Sequence, residues 1–261
     1  MNVNEEKKKN LHHLFSKNDE EISKVKDIMQ EVEQVLLFFA NNNKIYYKYY
    51  EVDEDDTTLH FTEYNNVDVG KLVFYINDIL KFENLLDIIW NENGSKFFDP
   101  NFLNGRIRRV YDNNLILLQQ TYKGSFGNEG RYFYLLAQNT QLNANTYVIS
   151  CVSLNVNDNY PKNKKKKFHN PLVPKVNNFS LDLECDENIK NSKLVKMFIN
   201  LSGYLIEKKD NHIKVTYVCS INLNTSSLVP NFLLRVVKAN TMMNVATMKQ
   251  KSFWDEDHIL T

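Results

Sequence analysis

Two stretches of this chain are apolar on both faces of what read as β-strands, and that leaves few folds open. In Thr146–Asn155, alternation puts Tyr147, Ile149 and Cys151 on one side and Val148, Val152 and Leu154 on the other. Ile213, Val215, Tyr217 and Cys219 form a second apolar face. Strands without a polar side are either covered on both faces or line an internal cavity. A long antiparallel sheet closed around a helix leaves such a cavity. With 261 residues, one core of that size is attainable.

The rest of the chain supplies the helices. Ile22, Val25, Met29, Val32, Leu36 and Phe39 recur at three- and four-residue steps, so a helix is expected over 19–40. Asn18 is its capping residue, and the acids that follow suit the positive end of the helix. Lys44–Glu51, Thr57–Tyr64 and Val69–Ile76 read as strands, and Asn77-Asp78 caps a helix running to about Trp90. Arg106–Tyr111 with Leu115–Tyr122, and Arg131–Gln141 with Thr146–Asn155, are hairpins around Asn-rich turns. Lys196–Lys208 and His212–Ile221 complete six consecutive antiparallel strands, with Asn170–Glu184 as a further β segment before them. A last helix begins near Pro230, where a missing N–H costs nothing. The order is α, three β, α, six β, α. Residues 1–17 read as a flexible leader, 18–250 as one domain and 251–261 as a tail.

Most chemistry-bearing patterns have a plainer reading. Lys+Arg and Asp+Glu both number 32, so no global charge favours nucleic acid, and a monomer without a nucleic-acid partner is the expectation. Asn (37) and Lys (27) are in excess over Arg (5), a bias that weakens any motif built on Asn. Cys151, Cys185 and Cys219 lack CxxC spacing and read as buried thiols, so neither a metal nor a cofactor is expected. The Gly124–Gly130 stretch joins two strands and not a strand to a helix, which argues against a phosphate loop. No HExxH or GxSxG occurs, and no catalytic set of His, acid and nucleophile can be assembled. Asp53–Asp56 is a charged turn without the spacing of a calcium loop. No run of 18 apolar residues suggests a transmembrane helix, and the N-terminus has no apolar signal core. The lysine run ending in Lys164, Lys165, Lys166 and Lys167 has a functional reading, transient contact with anionic headgroups at about 1 kcal/mol per charge.

The element order, with a terminal helix entered through Val229-Pro230-Asn231-Phe232, resembles the START lipid-transfer domain. Phe98-Asp99 falls where that family has Trp-Asp, and Arg131-Tyr132-Phe133 where it has Arg-Asp-aromatic. Gly105–Gly124, Tyr132–Ile149 and Phe198–Val218 are similar to strands of the malaria-parasite fam-a group of START proteins, over roughly residues 20–250. The resemblance implies an α+β helix-grip fold: a curved nine-stranded antiparallel sheet around the C-terminal helix, enclosing a lipid tunnel. It further implies non-enzymatic transfer of a phospholipid, with phosphatidylcholine favoured, by a protein secreted or exported from the parasite; the alternatives are an interaction module with a filled cavity and a helix-grip enzyme acting on a hydrophobic substrate. Arg131 shares a face with Phe133, Leu135 and Ala137, and its planar fork would suit a lipid phosphate. Tyr111, Tyr147 and Tyr217 are candidate faces for choline. Ile149, Leu233, Val236, Val237 and Met243 are candidate tunnel walls, the last beside a Met-rich lid.

Overall fold

In a computed structural model, residues 11–52, 56–124, 129–160, 167–225, 230–250 and 254 are described. Helix α1 (Asp19–Asn41) starts where the cap is expected, with Asn18 Oδ1 accepting the Glu21 N–H at 3.0 Å. Its buried stripe is Val25, Ile28, Met29, Val32, Leu36 and Phe39. Three strands follow, β1 (Tyr47–Val52), β2 (Thr57–Tyr64) and β3 (Val67–Ile76), and then α2 (Phe82–Trp90). Next come β4 (Phe102–Asp112), β5 (Leu115–Tyr122), β6 (Arg131–Asn143) and β7 (Thr146–Ser153). After an excursion, β11 (Phe198–Lys208), β12 (Ile213–Asn222) and α4 (Asn231–Val245) close the fold.

Nine strands form one antiparallel path in the order β1-β2-β3-β12-β11-β7-β6-β5-β4. The pairing of β12 with β3 joins the two runs of strands, through Cys219 opposite Gly70 and Val215 opposite Phe74. One face of this sheet packs on α1 through Leu117, Tyr132, Tyr134, Leu136, Val148, Val152, Leu201 and Val218. The opposite face meets α2 and α4. Strands apolar on both sides are therefore needed, as their sequences imply. Gly203 shows how close α1 lies: an added Cβ would stand 2.2 Å from the Ile149 carbonyl and 2.7 Å from Leu36 Cδ2.

The excursion departs from the expected extra strand. Asn170–Glu184 contains a 3₁₀ turn, Pro174–Asn178, and only three strand residues in β9 (Ser180–Asp182), which pairs with β8 (Asn155–Asn157) in parallel. Then come α3 (Glu187–Lys190) and β10 (Val195–Lys196), the latter parallel to β6. Leu172, Val173, Val176 and Leu181 are buried, which gave the segment its strand-like pattern. Asparagine side chains replace the ladder there. Asn170 Oδ1 accepts the Leu172 and Val173 N–H groups, and Asn177 Oδ1 accepts that of Asn170.

The stretch read as a leader is in part packed on the sheet. Phe15 bridges to Val110, and the Ser16 N–H donates to the Val110 carbonyl at 2.9 Å. Trp254, from the stretch read as a tail, donates from Nε1 to the Met248 carbonyl at 2.9 Å.

Lys71, on β3, is 2% exposed. Its Nζ donates to Asn43 Oδ1 at 2.6 Å and stands over the Tyr46 ring. Burial, with help from Lys214, pulls its pKa down to about 8. The folded value lies below the unfolded one, so the unfolded chain holds the extra proton between about pH 8 and about pH 10.4. Lys71 therefore adds stability as pH rises through that window. Buried thiols work the other way, so the difference between two proteins is the clean readout. In urea denaturation, the stability of wild type relative to Lys71→Met should rise from pH 8 to 10 and stay flat below it. A difference independent of pH would show that Lys71 is not desolvated.

Candidate functional site

The face opposite α1 carries an apolar cavity of about 270 Å³. Alternation decides which residues reach it. From β5 these are Ile116, Leu118, Gln120 and Tyr122, and from β6 Arg131, Phe133, Leu135 and Ala137. Ile149 and Cys151 of β7, and Tyr217 and Cys219 of β12, extend the same surface. Val237, Lys238, Thr241, Met242 and Val245 of α4 cover it. Gly70 lets the helix approach, because an added Cβ would stand 2.4 Å from Met242 Sδ.

Two polar groups interrupt the apolar lining. Near one end, Tyr122 donates from its hydroxyl to Gln120 Oε1 at 2.9 Å, and Gln120 Nε2 donates to the Glu92 carbonyl. Asp99 Oδ1 accepts the Asn101 N–H at 2.9 Å, while burial raises its pKa above the ordinary carboxylate value. Arg131 stands opposite Tyr122 in the β5–β6 register, with exposed Lys123 beside that position. The Arg131 guanidinium donates to the carbonyls of Glu129 (2.5 Å) and Gly130 (3.4 Å). Burial lowers its pKa, opposed by the Glu129 charge, and the group stays cationic at neutral pH.

The second polar group lies across β11 and β12. The rings of Tyr204 and Tyr217 stack at 4.6 Å, and Ser202 Oγ donates to the Tyr217 hydroxyl at 3.3 Å. Burial raises the Tyr204 and Tyr217 pKa values well above 10, pushes Cys151 up to about 12 and raises Cys219. These thiols are protonated at neutral pH, and a thiol is a poor nucleophile. Among the described residues, no group of His, Cys, Asp and Glu could hold a metal.

Of the candidate residues, Arg131, Phe133, Ile149, Tyr217 and Val237 line this one cavity. The others lie elsewhere. Tyr111 is buried on the α1 face, because the register shifts of β4 between Ile107 and Arg109 and between Val110 and Asp112 break strict alternation. Tyr147 packs edge-on against Phe82, beyond the cavity's end. Leu233 and Val236 are 46% and 42% exposed, since the buried residues of α4 are Ala239, Met242 and Val245. Met243 adjoins the α2–α4 cluster, while its neighbour Met242 faces the cavity. Lys164, Lys165 and Lys166 lie outside the described residues, and Lys167 is exposed.

Sequence reasoning missed Tyr204, Ser202, Gln120 and Met197, all in the lining. Tyr204 and Ser202 were within reach, because they alternate on a strand that the sheet order places between β7 and β12.

No protein-family model matches the sequence, and no curated protein is similar to it in sequence. Solved structures do resemble it. Human STARD10 shares 16% identity over 87% of this chain and 82% of its own, with a TM-score of 0.60. Human StAR-related lipid transfer protein 5 shares 11% over 87% and 97%, at 0.64. A STAR-related lipid transfer protein from Xanthomonas axonopodis shares 6% over 81% and 100%, at 0.54. At these identities the likeness concerns the fold. A nine-strand antiparallel path gripping a C-terminal helix, shared with these three, is the helix-grip START fold.

Proposed function

We propose that this protein binds a phospholipid in the cavity beneath α4 and carries it between membranes without chemical change. The observation that carries the reading is Arg131, a cation bonded to backbone carbonyls at one end of a mainly apolar chamber. A desolvated guanidinium is costly unless an anion meets it, and a phosphate offers two oxygens to its fork. The fold shared with human StAR-related lipid transfer protein 5 and the STAR-related lipid transfer protein of Xanthomonas axonopodis supports the same reading.

The physical need is plain. Moving a ~16-carbon chain through water costs roughly 12 kcal/mol at about 0.8 kcal/mol per methylene. An apolar cavity removes most of that barrier. At about 270 Å³ the chamber is below the roughly 300–1,000 Å³ of common ligand sites. A diacyl lipid thus requires α4 to move outward. Phe232, Leu233, Val236 and Val237 of α4 are exposed and form a stripe beside the mouth, suited to touching a bilayer. Among the described residues, no helix is long and apolar enough to cross one.

Phosphatidylcholine is the favoured headgroup, with Tyr217 as the one candidate choline contact left in the lining. Secretion or export by a parasite rests on the fam-a resemblance of the strands. Native mass spectrometry followed by organic extraction tests the reading: a stoichiometric phospholipid is expected. A mass free of lipid after incubation with mixed vesicles would overturn it. Arg131→Leu should lower phospholipid transfer several-fold while leaving the melting temperature nearly unchanged, because the side chain is half-buried and bonds only backbone oxygens. Unaltered transfer would remove the phosphate role.

A further inference from the structure

The two halves of α4 are held by different forces. Beyond residue 238, Ala239, Met242 and Val245 are buried, and Ala246 and Met248 continue their cluster. From 231 to 238 no residue is buried. There the helix is attached through charge. Arg235 Nη2 lies 2.5 Å from Asp68 Oδ1, and Lys238 Nζ lies 3.3 Å from Asp68 Oδ2. Asp68 sits on β3, with its side chain 10% exposed. One carboxylate thus gathers both cations of the first two turns.

The surroundings prepare this pair for exchange. Arg235 lies over the Tyr47 and Phe61 rings, and its Nε is buried without a partner. A separate polar cavity of about 230 Å³ adjoins the pair, lined among others by Asn200, Asn222 and Asn231. Asn200 is 2% exposed, and its Oδ1 has no partner. The helix start carries no side-chain cap, so its free N–H groups add positive potential. Lys238 and Val237 also line the main cavity, so raising these turns uncovers it.

We propose that Asp68 is an internal stand-in for a lipid phosphate: it holds Arg235 and Lys238, and with them the lid over the cavity, until phosphates of an anionic bilayer replace it. The inference rests on the carrier reading above and adds its regulation. A neutral aqueous surrounding gives the two cations nothing better than Asp68. An anionic surface offers many phosphates at once, along with an apolar layer for Phe232, Leu233, Val236 and Val237. The lid thus opens where cargo can pass directly between cavity and bilayer. Carboxylate and phosphate exchange places, and no bond other than ion pairs and hydrogen bonds is broken.

Cavity thiols report the opening. Cys151 and Cys219 lie under the lid, whereas Cys185 is buried on the α1 side and reports only global unfolding. Labelling by N-ethylmaleimide, resolved by peptide mass spectrometry, is compared in buffer, with phosphatidylcholine vesicles, and with vesicles of equal phosphatidylcholine and phosphatidylserine. In wild type, Cys219 should label about tenfold faster only with the anionic vesicles. Inorganic phosphate at matched ionic strength should leave it slow. In Asp68→Asn, Cys219 should label fast in every condition while Cys185 stays slow, and Asp68→Glu should behave as wild type. Slow labelling of Asp68→Asn in buffer, or equal acceleration of wild type and Asp68→Asn by phosphatidylserine, would overturn the latch. Acceleration by inorganic phosphate alone would overturn the role of the bilayer. Cargo lying over Cys151 and Cys219 would itself slow their labelling, so the comparison uses delipidated protein; a protein that takes up no lipid and still follows this pattern keeps the latch and loses the carrier reading.

Discussion

Asp158→Ala should lower the free energy of unfolding by about 3–5 kcal/mol, the cost of breaking a buried ion pair from one side. Asp158 is 1% exposed. Its Oδ2 meets Lys196 Nζ at 2.9 Å and accepts the Tyr132 hydroxyl at 2.8 Å, while Oδ1 accepts the Tyr160 N–H. Lys196 also donates to the Val156 carbonyl and lies over the Tyr134 ring at 5.1 Å. Burial already lowers the Lys196 pKa, and the Asp158 charge opposes that shift. Removing the carboxylate strands an ammonium among aromatic rings and takes away the acceptor of the Tyr132 hydroxyl. Asp158→Asn should cost less, because the amide oxygen still accepts the Tyr132 hydroxyl. The double variant Asp158→Leu/Lys196→Met should lose less than Asp158→Ala, because no buried charge remains. Urea denaturation of the four proteins measures all of this. A loss below about 1 kcal/mol, typical of an exposed pair, would mean that water reaches Lys196. The network also bears on the cavity, since Tyr132 separates Arg131 from Phe133 and Lys196 precedes Met197. It fixes from behind the strand start that presents the cationic end.

Much of this architecture follows from periodicity in the sequence. α1 shows both its buried stripe and its cap, and the structure repeats them. The two-sided apolar strands imply layers on both faces, and Val148 and Val152 do meet α1 while Ile149 and Cys151 turn to the cavity. What escaped lies where side chains replace backbone pairing. The Asn170 and Asn177 bonds organise a loop that apolar spacing alone makes look like a strand. The Asn excess of the whole chain hid their local role, because a frequent residue carries little signal. The parallel pairing of β10 with β6 joins two strand residues to a distant strand, which no local pattern encodes.

The site was legible to the same degree. Arg131, Phe133, Ile149 and Tyr217 follow strict alternation on regular strands, so their common face could be read. Tyr111 could not be placed, because the β4 register shifts are set by tertiary packing. On α4 the apolar residues circle the helix, so no single stripe marks the inner face. Leu233 and Val236 are among the candidate tunnel walls, yet they are 46% and 42% exposed. An exposed apolar half-helix makes sense only with the charge contacts of Asp68, a residue whose partners lie 167 and 170 positions away.

Cys151→Trp should abolish lipid loading while leaving the fold intact. Cys151 touches all three apolar clusters that border the cavity, which places it at the centre of the floor. An indole there would occupy space that an acyl chain needs. Displacing about four methylenes, at about 0.8 kcal/mol each, weakens binding by roughly 3 kcal/mol, or about a hundredfold. Stability should stay within about 1 kcal/mol of wild type, because the ring enters open volume and does not overpack a filled core. Cys151→Ala, which adds room, should load lipid as well as wild type does. Native mass spectrometry after incubation with vesicles, together with a thermal melt, reads both quantities. The pair of readouts separates two accounts of this fold. In a carrier, the tryptophan removes cargo and spares stability. In an interaction module with a packed interior, the same substitution costs about 1–3 kcal/mol of stability and has no cargo to remove.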